Sequence, residues 1–299
     1  MSRLNLMKRT ILTFLIVGPL LWSEWLSLEW STWLWDIPEA REHSVKILIV
    51  ADPQLIGYQN EPYFVGWISR WDSDRYMRRS FSKVLSHFEP NLIVFLGDLL
   101  DENIQMTQDE LDLTYKRFLS AFPIPDNAQT IYIPGDNDVG GENEPVYTHL
   151  IERFANYFPN MLKLKDKRFE FIEIAELIMG SYQPELVKNA SDGGIKLLLA
   201  HMPILRSNSL TNNKLFANYS PDLILSGHDH TAEIYIRSRN ISNFDRYVPE
   251  KKLRLPISPD HPIVELQSPT VSYRMGVPAM GYGALCYGFL DAIHSYFCI

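Results

Sequence analysis

Residues 46–54 read KILIVADPQ, and this stretch sets the fold class. The first six residues are almost continuously apolar, which is typical of a β-strand buried on both faces. Residues 92–98, LIVFLGD, repeat the arrangement, because a short apolar run is again followed by an aspartate. Two such strands predict a layered protein in which polar groups collect at one edge of a buried sheet.

Further strands and helices extend this pattern along the chain. Apolar runs of strand length recur at residues 130–133, 196–200, 222–225 and 233–237. Apolar residues at helical spacing predict helices at 77–88, 111–122 and 147–158. Because strands alternate with helices, we expect an α/β fold with mostly parallel inner strands, formed by one domain over residues 44–275.

The residues that follow the predicted strands are rich in groups that bind metals. The five segments are Asp52-Pro53-Gln54, Gly97-Asp98-Leu99-Leu100-Asp101, Pro134-Gly135-Asp136-Asn137-Asp138, His201-Met202-Pro203 and Ser226-Gly227-His228-Asp229-His230. In open α/β sheets the carboxyl ends of strands meet in one crevice, so these side chains are expected on a common rim. A single aspartate after a strand is more often a turn residue or a helix cap. Five such segments in series indicate a functional site.

Carboxylate, amide and imidazole groups together form the ligand set of a binuclear site for divalent cations. Asp98 is the natural bridge, because two cations held close together need an anion between them. Such a site polarises a phosphoryl oxygen and activates water for in-line attack on phosphorus. The sequence contains no GxxxxGK[ST], GxSxG, HExxH or CxxC motif, which argues against P-loop ATPases, serine hydrolases, zincins and thiol-redox proteins.

These five segments resemble those of the calcineurin-like metallophosphoesterases, whose pattern is D-x-H, G-D-x-x-D, G-N-H-[ED], H and G-H-x-H. The resemblance implies an αββα sandwich of two β-sheets flanked by helices, and two divalent metal ions. It implies that one ion is held by Asp52, Gln54, Asp98 and His230. The other ion would be held by Asp98, Asp136, His201 and His228. Catalytic positions would fall on Asp52, Asp98, Asp136, Asn137 and His201.

Two positions depart from the family pattern. Gln54 stands where many members have histidine, and its neutral amide oxygen is a weaker ligand. Asp136-Asn137 stands where Asn-His is usual, and Asn137 cannot donate the proton that is usually assigned to that histidine. Asp101 and Asp138 are expected to hydrogen-bond an ordered metal ligand rather than to bind metal themselves.

Three longer stretches resemble a narrower group, namely ADPQLIG at 51–57, PGDNDVGGE at 134–142 and QSPTVSYRMGVPAMGYG at 267–283. They are similar to the membrane-anchored metallophosphoesterases that remodel glycosylphosphatidylinositol (GPI) anchors, the post-GPI-attachment-to-proteins type and its fungal relatives. This resemblance implies a manganese-dependent phosphodiesterase that removes an ethanolamine-phosphate side chain from a mannose of the GPI glycan. Its location would be the membranes of the endoplasmic reticulum (ER), its exit sites and the Golgi. Its partners would be GPI-anchored proteins as substrates and ER-exit cargo receptors, and its activity would aid ER-to-Golgi transport.

Two other functions remain open at this point. Gln54 and Asn137 suggest a catalytically weak scaffold for trafficking, because one is a weaker metal ligand than histidine and the other cannot donate a proton. A phosphomonoesterase or a nucleotide hydrolase would use the same ligand set. The net charge of −8 argues against nucleic acid as a partner, because nucleic-acid binding needs a basic surface.

Residues 1–43 are predicted to form a short cytoplasmic N-terminus and a signal-anchor transmembrane segment. Arg3, Lys8 and Arg9 precede an apolar run over residues 11–21, and five tryptophans follow within residues 22–35. The run alone is shorter than the roughly 20 residues that cross a bilayer, but the tryptophan-rich part extends it. Positive charge before the span predicts a lumenal catalytic domain. A cleaved signal peptide and a buried amphipathic helix are the alternatives.

The last part of the chain is harder to interpret. Residues 276–299 are apolar but contain Asp291 and His294, so we interpret them as a possible partial membrane helix. Arg274 is a candidate phosphate contact, and a closing segment rich in glycine and proline is the alternative. A lumenal domain would offer acceptor patterns for N-glycosylation at Asn189, Asn218 and Asn240.

Overall fold

The computed structural model describes residues 3–35, 37–38, 44–141, 144–159, 169–173, 195–206, 216, 220–239, 243–249, 253–288 and 292–298. The chain contains an N-terminal unit that includes Met1–Asp36 and a larger unit, Ile37–Cys298. The three predicted glycosylation acceptors, Asn189, Asn218 and Asn240, lie outside the described residues.

The N-terminal unit is one long helix. Helix α1 (Arg3–Leu21) continues through a π-helical turn (Trp22–Leu26) into α2 (Ser27–Leu34). Its serine and threonine hydroxyls donate to backbone carbonyls three or four residues earlier, so their polarity is satisfied within the helix. The stretch Met7–Leu34 is long and apolar enough to cross a membrane, by length and composition, and it is the one such helix in the described part of the chain. This agrees with the predicted span.

The larger unit is built on two mixed sheets. In chain order the strands are β1 (Val45–Val50), β2 (Leu92–Leu96), β3 (Gln129–Ile133), β4 (Phe169–Glu173), β5 (Ile195–Leu199), β6 (Leu223–Ser226), β7 (Glu233–Arg237), β8 (Phe244–Tyr247), β9 (Leu253–Pro256), β10 (Ile263–Gln267), β11 (Tyr282–Gly288) and β12 (Ala292–Cys298). The first sheet has the order β3-β2-β1-β11-β12-β9, and the second has the order β4-β5-β6-β10-β7-β8. The helices are α3 (Tyr63–Phe88), α4 (Gln108–Ala121), α5 (Asp136–Val139) and α6 (Thr148–Tyr157).

Parallel pairing is confined to one side of each sheet. Strands β1, β2 and β3 are parallel neighbours, as are β4, β5, β6 and β10. The remaining pairs are antiparallel. The predicted α/β fold is confirmed, and the prediction of parallel inner strands holds for the strands that lead into the polar segments.

The core lies between the sheets. On β2, Leu92, Val94 and Leu96 pack in the same apolar cluster as Leu197 on β5. Phe95 points to the other face of the sheet, where it contacts aromatic rings of α3 and α4. Both faces of β2 are therefore buried, which is why its sequence is continuously apolar rather than alternating.

Helix α3 begins earlier than the sequence predicts. The expected helix covers residues 77–88, whereas α3 begins at Tyr63. Its first turns, YFVGWISRW, have large apolar residues at helical spacing (Phe64, Trp67, Ile68 and Trp71), but these side chains are exposed and do not continue the buried side on which the prediction of residues 77–88 rests. Three of its positions, Ser73, Met77 and Ser80, face inward and continue the buried side that Phe81 and Val84 extend.

The interpretation of residues 276–299 as a partial membrane helix is wrong for the described residues. Strands β11 and β12 form an antiparallel pair there, with Tyr282 opposite Cys298. Strand β11 also pairs with β1, and Val45 lies opposite Tyr287. The physical reason is that β1, in the middle of the sheet, needs a hydrogen-bonding partner on the side away from β2. The domain therefore extends beyond residue 275 to Cys298.

Candidate metal centre

The strand-end segments meet at one rim that joins the two sheets. In the first sheet, the backbone N–H of Gln54 donates to the carbonyl of Asp98 at 2.9 Å. Across the sheets, the backbone N–H of His228 donates to the Asp52 carboxylate, at 3.1 Å to Oδ2. These bonds tie the turns after β1, β2 and β6 to one another, so their side chains share a common space.

Backbone strain is concentrated at this rim. Among the described residues, seven other than glycine have positive φ angles, and five of them are predicted ligands. These five are Asp52 (51°), Gln54 (42°), Asp98 (50°), His228 (74°) and His230 (65°). Such conformations cost about 1–3 kcal/mol each, and they persist where the surrounding structure imposes them, most often at functional sites.

Two glycines let the turns approach one another. A Cβ on Gly97, whose φ is +85°, would lie 2.6 Å from Nδ1 of His201. A Cβ on Gly135 would overlap the carboxylate of Asp98. Both positions therefore require glycine for space, and Gly97 requires it for its backbone conformation as well.

Asp136, His201 and His228 form the first cluster of candidate ligands. Oδ1 of Asp136 lies 2.8 Å from Nε2 of His201 and 3.0 Å from Nδ1 of His228, and the two nitrogens are 3.2 Å apart. Nδ1 of His201 donates to the carbonyl of Leu96 at 2.8 Å, which leaves Nε2 as its free ligand atom. Three such atoms lie this close together only when a positive charge, either a proton or a metal ion, compensates them.

Asp52, Asp98 and His201 form the second cluster. Nε2 of His201 is 3.5 Å from Oδ1 of Asp98, and Nδ1 of His201 is 3.9 Å from Oδ1 of Asp52. The structure thus places His201 beside both groups of carboxylates, whereas the sequence-based assignment gave it to one ion only. Because Nδ1 of His201 donates to the carbonyl of Leu96, this nitrogen cannot bind a metal ion together with Asp52.

Gln54 and His230 approach Asp98 from the other side. Nε2 of Gln54 is 3.1 Å from Oδ2 of Asp98 and 3.3 Å from Nε2 of His230. The amide therefore occupies the space between a carboxylate and an imidazole. Its oxygen and nitrogen are interchangeable by rotation of the amide, so its oxygen can face the same space and act as a ligand. All seven predicted ligands are thus brought into one connected group.

Asn137 holds the central carboxylate. Its backbone N–H donates to Oδ1 of Asp98 and its Nδ2 donates to Oδ2, each at 2.9 Å. These two bonds fix the plane of the carboxylate that is expected to bridge two ions. An amide has no proton to give near neutral pH, so Asn137 orients groups but does not protonate a leaving group.

The charge state of the site supports a bound cation. Asp52, Asp98 and Asp136 are all buried. Burial raises the pKa of Asp52 to about 8. Burial would also raise the pKa of Asp136, but hydrogen bonds from His201 and His228 hold it well below its usual range. Although burial opposes it, the neighbouring Asp98 and Asp136 raise the pKa of His201 well above its usual range. Without metal the cluster must retain protons, so a divalent cation fits this donor set.

Asp138 supports the site from behind. Its buried carboxylate accepts backbone N–H groups from Leu99 and Leu100 at 3.1 Å and from Gly135 at 2.9 Å. Burial, together with Asp98, raises its pKa to about 7, against the effect of these three donors. Asp138 therefore clamps the turn after β2 to the turn after β3, instead of bonding to a ligand side chain as expected.

Asp101 and Arg274 pair with each other. Nη1 of Arg274 lies 3.3 Å from Oδ2 of Asp101, and its Nη2 lies 3.4 Å from Oε1 of Glu61. The expectation that Asp101 hydrogen-bonds a metal ligand is not met, because its described partner is this guanidinium. The pairing also shows what the sequence stretch 267–283 does: it folds back over the site.

Two contributors to the site were not singled out from the sequence. The hydroxyl of Thr270 donates to the carbonyl of Asp52 at 2.8 Å and so steadies the strained turn after β1. The carboxylate of Glu102 accepts the backbone N–H groups of Gln59 and Asn60, each at 2.9 Å. Thr270 lies in residues 267–283, a stretch that resembles the GPI-remodelling group, so this resemblance could have indicated Thr270. Nothing in the sequence indicates the role of Glu102.

A cavity of about 180 Å³ opens beside Asp136 and Asn137. It is lined by Asn60, Asp101, Glu102, Ile104, Gln105, Asp136, Asn137, Gly140, Gly141 and Glu144. Four of these lining residues carry carboxylates, and none of the described residues that line the cavity is Lys or Arg. The cavity therefore favours a ligand with a positively charged part.

Comparison with known proteins adds family information to this geometry. Residues 45–232 match the family described as calcineurin-like phosphoesterase. The chain is 28% identical over 223 residues to cell division control protein 1 of Saccharomyces cerevisiae, covering 69% of this chain and 45% of the yeast protein. It is 23% identical over 248 residues to metallophosphoesterase 1 of Pongo abelii, covering 64% of this chain and 61% of that protein.

The chain thus spans less than two thirds of the length of either relative. Among solved structures, a metallophosphoesterase from Sphaerobacter thermophilus aligns with a TM-score of 0.43 at 14% identity. That alignment covers 85% of this chain and 88% of the bacterial one.

Proposed function

The chain belongs to the calcineurin-like phosphoesterase family, and from this premise we propose that it is a metal-dependent phosphodiesterase. The substrate that we propose is the glycan of a GPI anchor, from which the enzyme removes an ethanolamine-phosphate side chain on a mannose. The observation that carries the proposal is the convergence of three buried carboxylates, Asp52, Asp98 and Asp136, on the imidazoles of His201 and His228.

Two divalent cations, which we propose to be Mn²⁺, would occupy this site. Asp52, Gln54, Asp98 and His230 would hold one of them. Asp98, Asp136, His201 and His228 would hold the other. Two cations held by these residues would supply charge neutralisation at the phosphoryl oxygens and activation of water for attack on phosphorus. The mixture of oxygen and imidazole donors suits Mn²⁺ and similar ions, but it does not select one of them.

The side chains around the ions orient the reaction. The Nδ1–H of His201 donates to the carbonyl of Leu96, so Nε2 is the nitrogen that faces the site and can bind a metal ion. Asn137 fixes Asp98 and also lines the cavity, where its amide can donate to a phosphoryl oxygen. Because Asn137 cannot give a proton, the leaving sugar oxygen would take its proton from water or from another side chain.

The cavity supports a substrate with an amine. Ethanolamine phosphate carries an ammonium two carbons from the phosphate oxygen. Glu102 and Glu144 line the same cavity as Asp136 of the candidate metal centre. A phosphoryl group at the metals would therefore leave its ammonium in an acidic surrounding, where it is attracted by opposite charge.

The N-terminal helix supports action at a membrane. The stretch Met7–Leu34 is long and apolar enough to cross a bilayer, and Arg3, Lys8 and Arg9 lie at its start. We propose that it anchors the enzyme in membranes of the ER, its exit sites and the Golgi, with the catalytic domain in the lumen. GPI-anchored proteins would be met there, and ER-exit cargo receptors are proposed as further partners.

The first experiment tests the phosphodiesterase activity. The full chain would be purified with added Mn²⁺ and assayed on an aryl phosphodiester, beside Asp98→Asn and the exposed control Asp126→Asn. We expect Asp98→Asn to abolish turnover and to lower the metal content, and we expect Asp126→Asn to match the wild type. Inactivity of the wild type with every divalent metal, together with no bound metal by elemental analysis, would instead support the scaffold alternative.

A second experiment tests the substrate. GPI glycans from cells that lack the protein would be compared by mass spectrometry with those from cells that express wild type or Asp98→Asn. We expect ethanolamine phosphate to be retained on mannose in the null and Asp98→Asn cells. Unaltered ethanolamine-phosphate content would refute this substrate while leaving the phosphodiesterase activity in place.

A further inference from the structure

The first turns of α3 expose an aromatic stripe. Phe64, Trp67, Ile68 and Trp71 are 70%, 63%, 42% and 57% exposed, respectively. They lie at positions i, i+3, i+4 and i+7, so they form one continuous face of the helix. Single exposed apolar residues are ordinary, but four large ones on one face, two of them tryptophans, indicate an interaction surface.

The aromatic stripe is not the side of α3 that packs against the domain core. The opposite side of α3 carries Gly66, Ser73 and Met77, which are all buried against the domain. The Arg70 guanidinium, at the edge of that side, donates to the carbonyl of Gly57. Helix α3 is thus already docked through its own inner face, so folding of the domain does not require the aromatic stripe to be covered.

Basic residues extend the stripe. Arg75 and Arg78 follow at i+11 and i+14 on the same face, and the Arg75 guanidinium lies over the Trp71 ring at 5.3 Å. The two acidic residues of α3 bind residues outside the helix. Asp72 accepts a hydrogen bond from the hydroxyl of Tyr273, and Asp74 is paired with Arg117. The outer face therefore combines aromatic rings with positive charge, as interfacial helices do.

We propose that the aromatic stripe of α3 lies in the headgroup region of the bilayer, as a second membrane contact in addition to the N-terminal helix. This rests on the proposal that Met7–Leu34 spans the membrane. Ten residues, 35–44, separate that helix from β1, and a chain of this length extends at most about 35 Å. The larger unit is therefore tethered to any membrane that this helix spans, and tryptophan is the residue that the membrane–water boundary favours.

The contact would bear on the catalytic site. Asn60 lines the cavity and Glu61 contacts Arg274, and only Pro62 separates these two residues from the start of α3. A helix that rests on the bilayer by Phe64 and Trp67 would hold the mouth of the cavity close to the lipid surface. A substrate attached to lipid through a short glycan would then reach the metals without leaving the membrane.

The experiment uses the full chain, reconstituted in vesicles that contain only the purified protein and phospholipid. Cys286 and Cys298 would be replaced by serine, and an environment-sensitive fluorophore would be attached at F64C or W71C. Matched controls are L113C and L119C, which replace apolar residues of α4 with comparable exposure, 50% and 48%. Lipids with a spin label near the headgroup should quench the α3 positions several-fold more than the α4 positions. Equal quenching at both helices would overturn the proposal.

A second measurement keeps the native cysteines. Benzoylphenylalanine at position 64 or 71 should form photo-cross-links to phospholipid, and the same group at position 113 should not. Cross-links between two protein copies would overturn the proposal in favour of a self-association surface. Neither measurement needs catalysis or metal. Failure of the proposed activity would therefore leave quenching at α3 intact, and absence of lipid contact would leave the activity untouched.

Discussion

At the level of single residues, Gln54 is the one amide among the seven predicted metal ligands, and an amide oxygen is a weaker ligand than an imidazole or a carboxylate. Its amide lies between Asp98 and His230, at the position where the family pattern D-x-H has histidine. The backbone at Gln54 has φ of +42°, a conformation that histidine adopts more readily than most residues. The backbone conformation at this position is therefore compatible with histidine.

We predict that Gln54→His tightens the metal site. An imidazole nitrogen replaces a neutral amide oxygen, so the dissociation constant of the weaker-bound Mn²⁺ should fall roughly tenfold, or about 1.4 kcal/mol. Isothermal titration calorimetry of the metal-free protein measures this directly. The control is Gln108→His, a similar change on the exposed start of α4. Unchanged or weaker affinity in Gln54→His would show that Gln54 does not face the metal.

Gly97 is the residue whose side chain the site cannot accommodate. We predict that Gly97→Ala destabilises the domain by about 3 kcal/mol or more, because a new Cβ collides with His201 in addition to the cost of its positive φ. Gly276→Ala is the matched control, since its φ is +69° and no atom lies within 4 Å of the added Cβ. That variant should lose only about 1–2 kcal/mol. Equal losses in chemical denaturation would mean that backbone strain alone matters at Gly97.

At the level of elements, the strand pair β11–β12 completes the first sheet. Strand β11 lies between β1 and β12, and its Leu285 is fully buried in the cluster between the sheets. The apolar segment that contains β11 is thus buried in the domain core and does not enter a bilayer. The turns that bear Asp52 and Gln54 follow β1 directly, so the pairing of β1 with β11 also steadies the candidate site.

We predict that Leu285→Ala lowers the free energy of unfolding by about 2–5 kcal/mol, the usual cost of removing a buried leucine side chain. The control is Val248→Ala, which changes a side chain that is 66% exposed and should shift stability by no more than about 0.5 kcal/mol. Denaturant unfolding in detergent, followed by tyrosine and tryptophan fluorescence, provides the measurement. A wild-type midpoint for Leu285→Ala would contradict the observed strand pairing.

At the level of the whole molecule, the metal centre links stability to pH. Burial raises the pKa of Asp52 to about 8 from 3.8. Metal-free folded protein therefore binds this proton more tightly than unfolded protein does. The stability gained from protonation is complete below pH 3.8 and is lost as the pH rises toward about 8. A metal ion that binds the ionised carboxylate replaces the proton and removes this loss.

We predict that chelation lowers the melting temperature more at pH 8 than at pH 6. Metal at about 100 times its dissociation constant stabilises the fold by about 2.7 kcal/mol, and so by roughly 5–10 °C in a domain of this size. Differential scanning fluorimetry with and without chelator, at both pH values, measures the change. Asp98→Asn should abolish the metal-dependent difference. The same shift at both pH values would contradict the role assigned to Asp52.

Much of the fold could be predicted from local sequence, because strands buried on both faces are continuously apolar. Strand β2 begins and ends at the predicted residues, 92–96, and so does β7 at 233–237. The start of α3 and the strands β11 and β12 could not be predicted in this way. In the turns YFVGWISRW the large apolar residues lie on the exposed face, and the inner positions are Gly66, Ser69 and Arg70, so no apolar buried face marks the start of the helix. The sequence YGALCYG is short and apolar, and only its pairing with β1 makes it a strand.

By itself, the sequence determined which residue types arrive at the ends of the strands. Asp52, Asp98, Asp136, His201 and His228 follow apolar runs, and the chain direction of parallel strands sends them to one rim. Only the tertiary structure decided how they meet. The bond from His201 to the carbonyl of Leu96, the clamp made by Asp138, and the return of Thr270 and Arg274 to the site all join segments far apart in the chain. Such contacts depend on packing between the sheets, which local sequence does not encode.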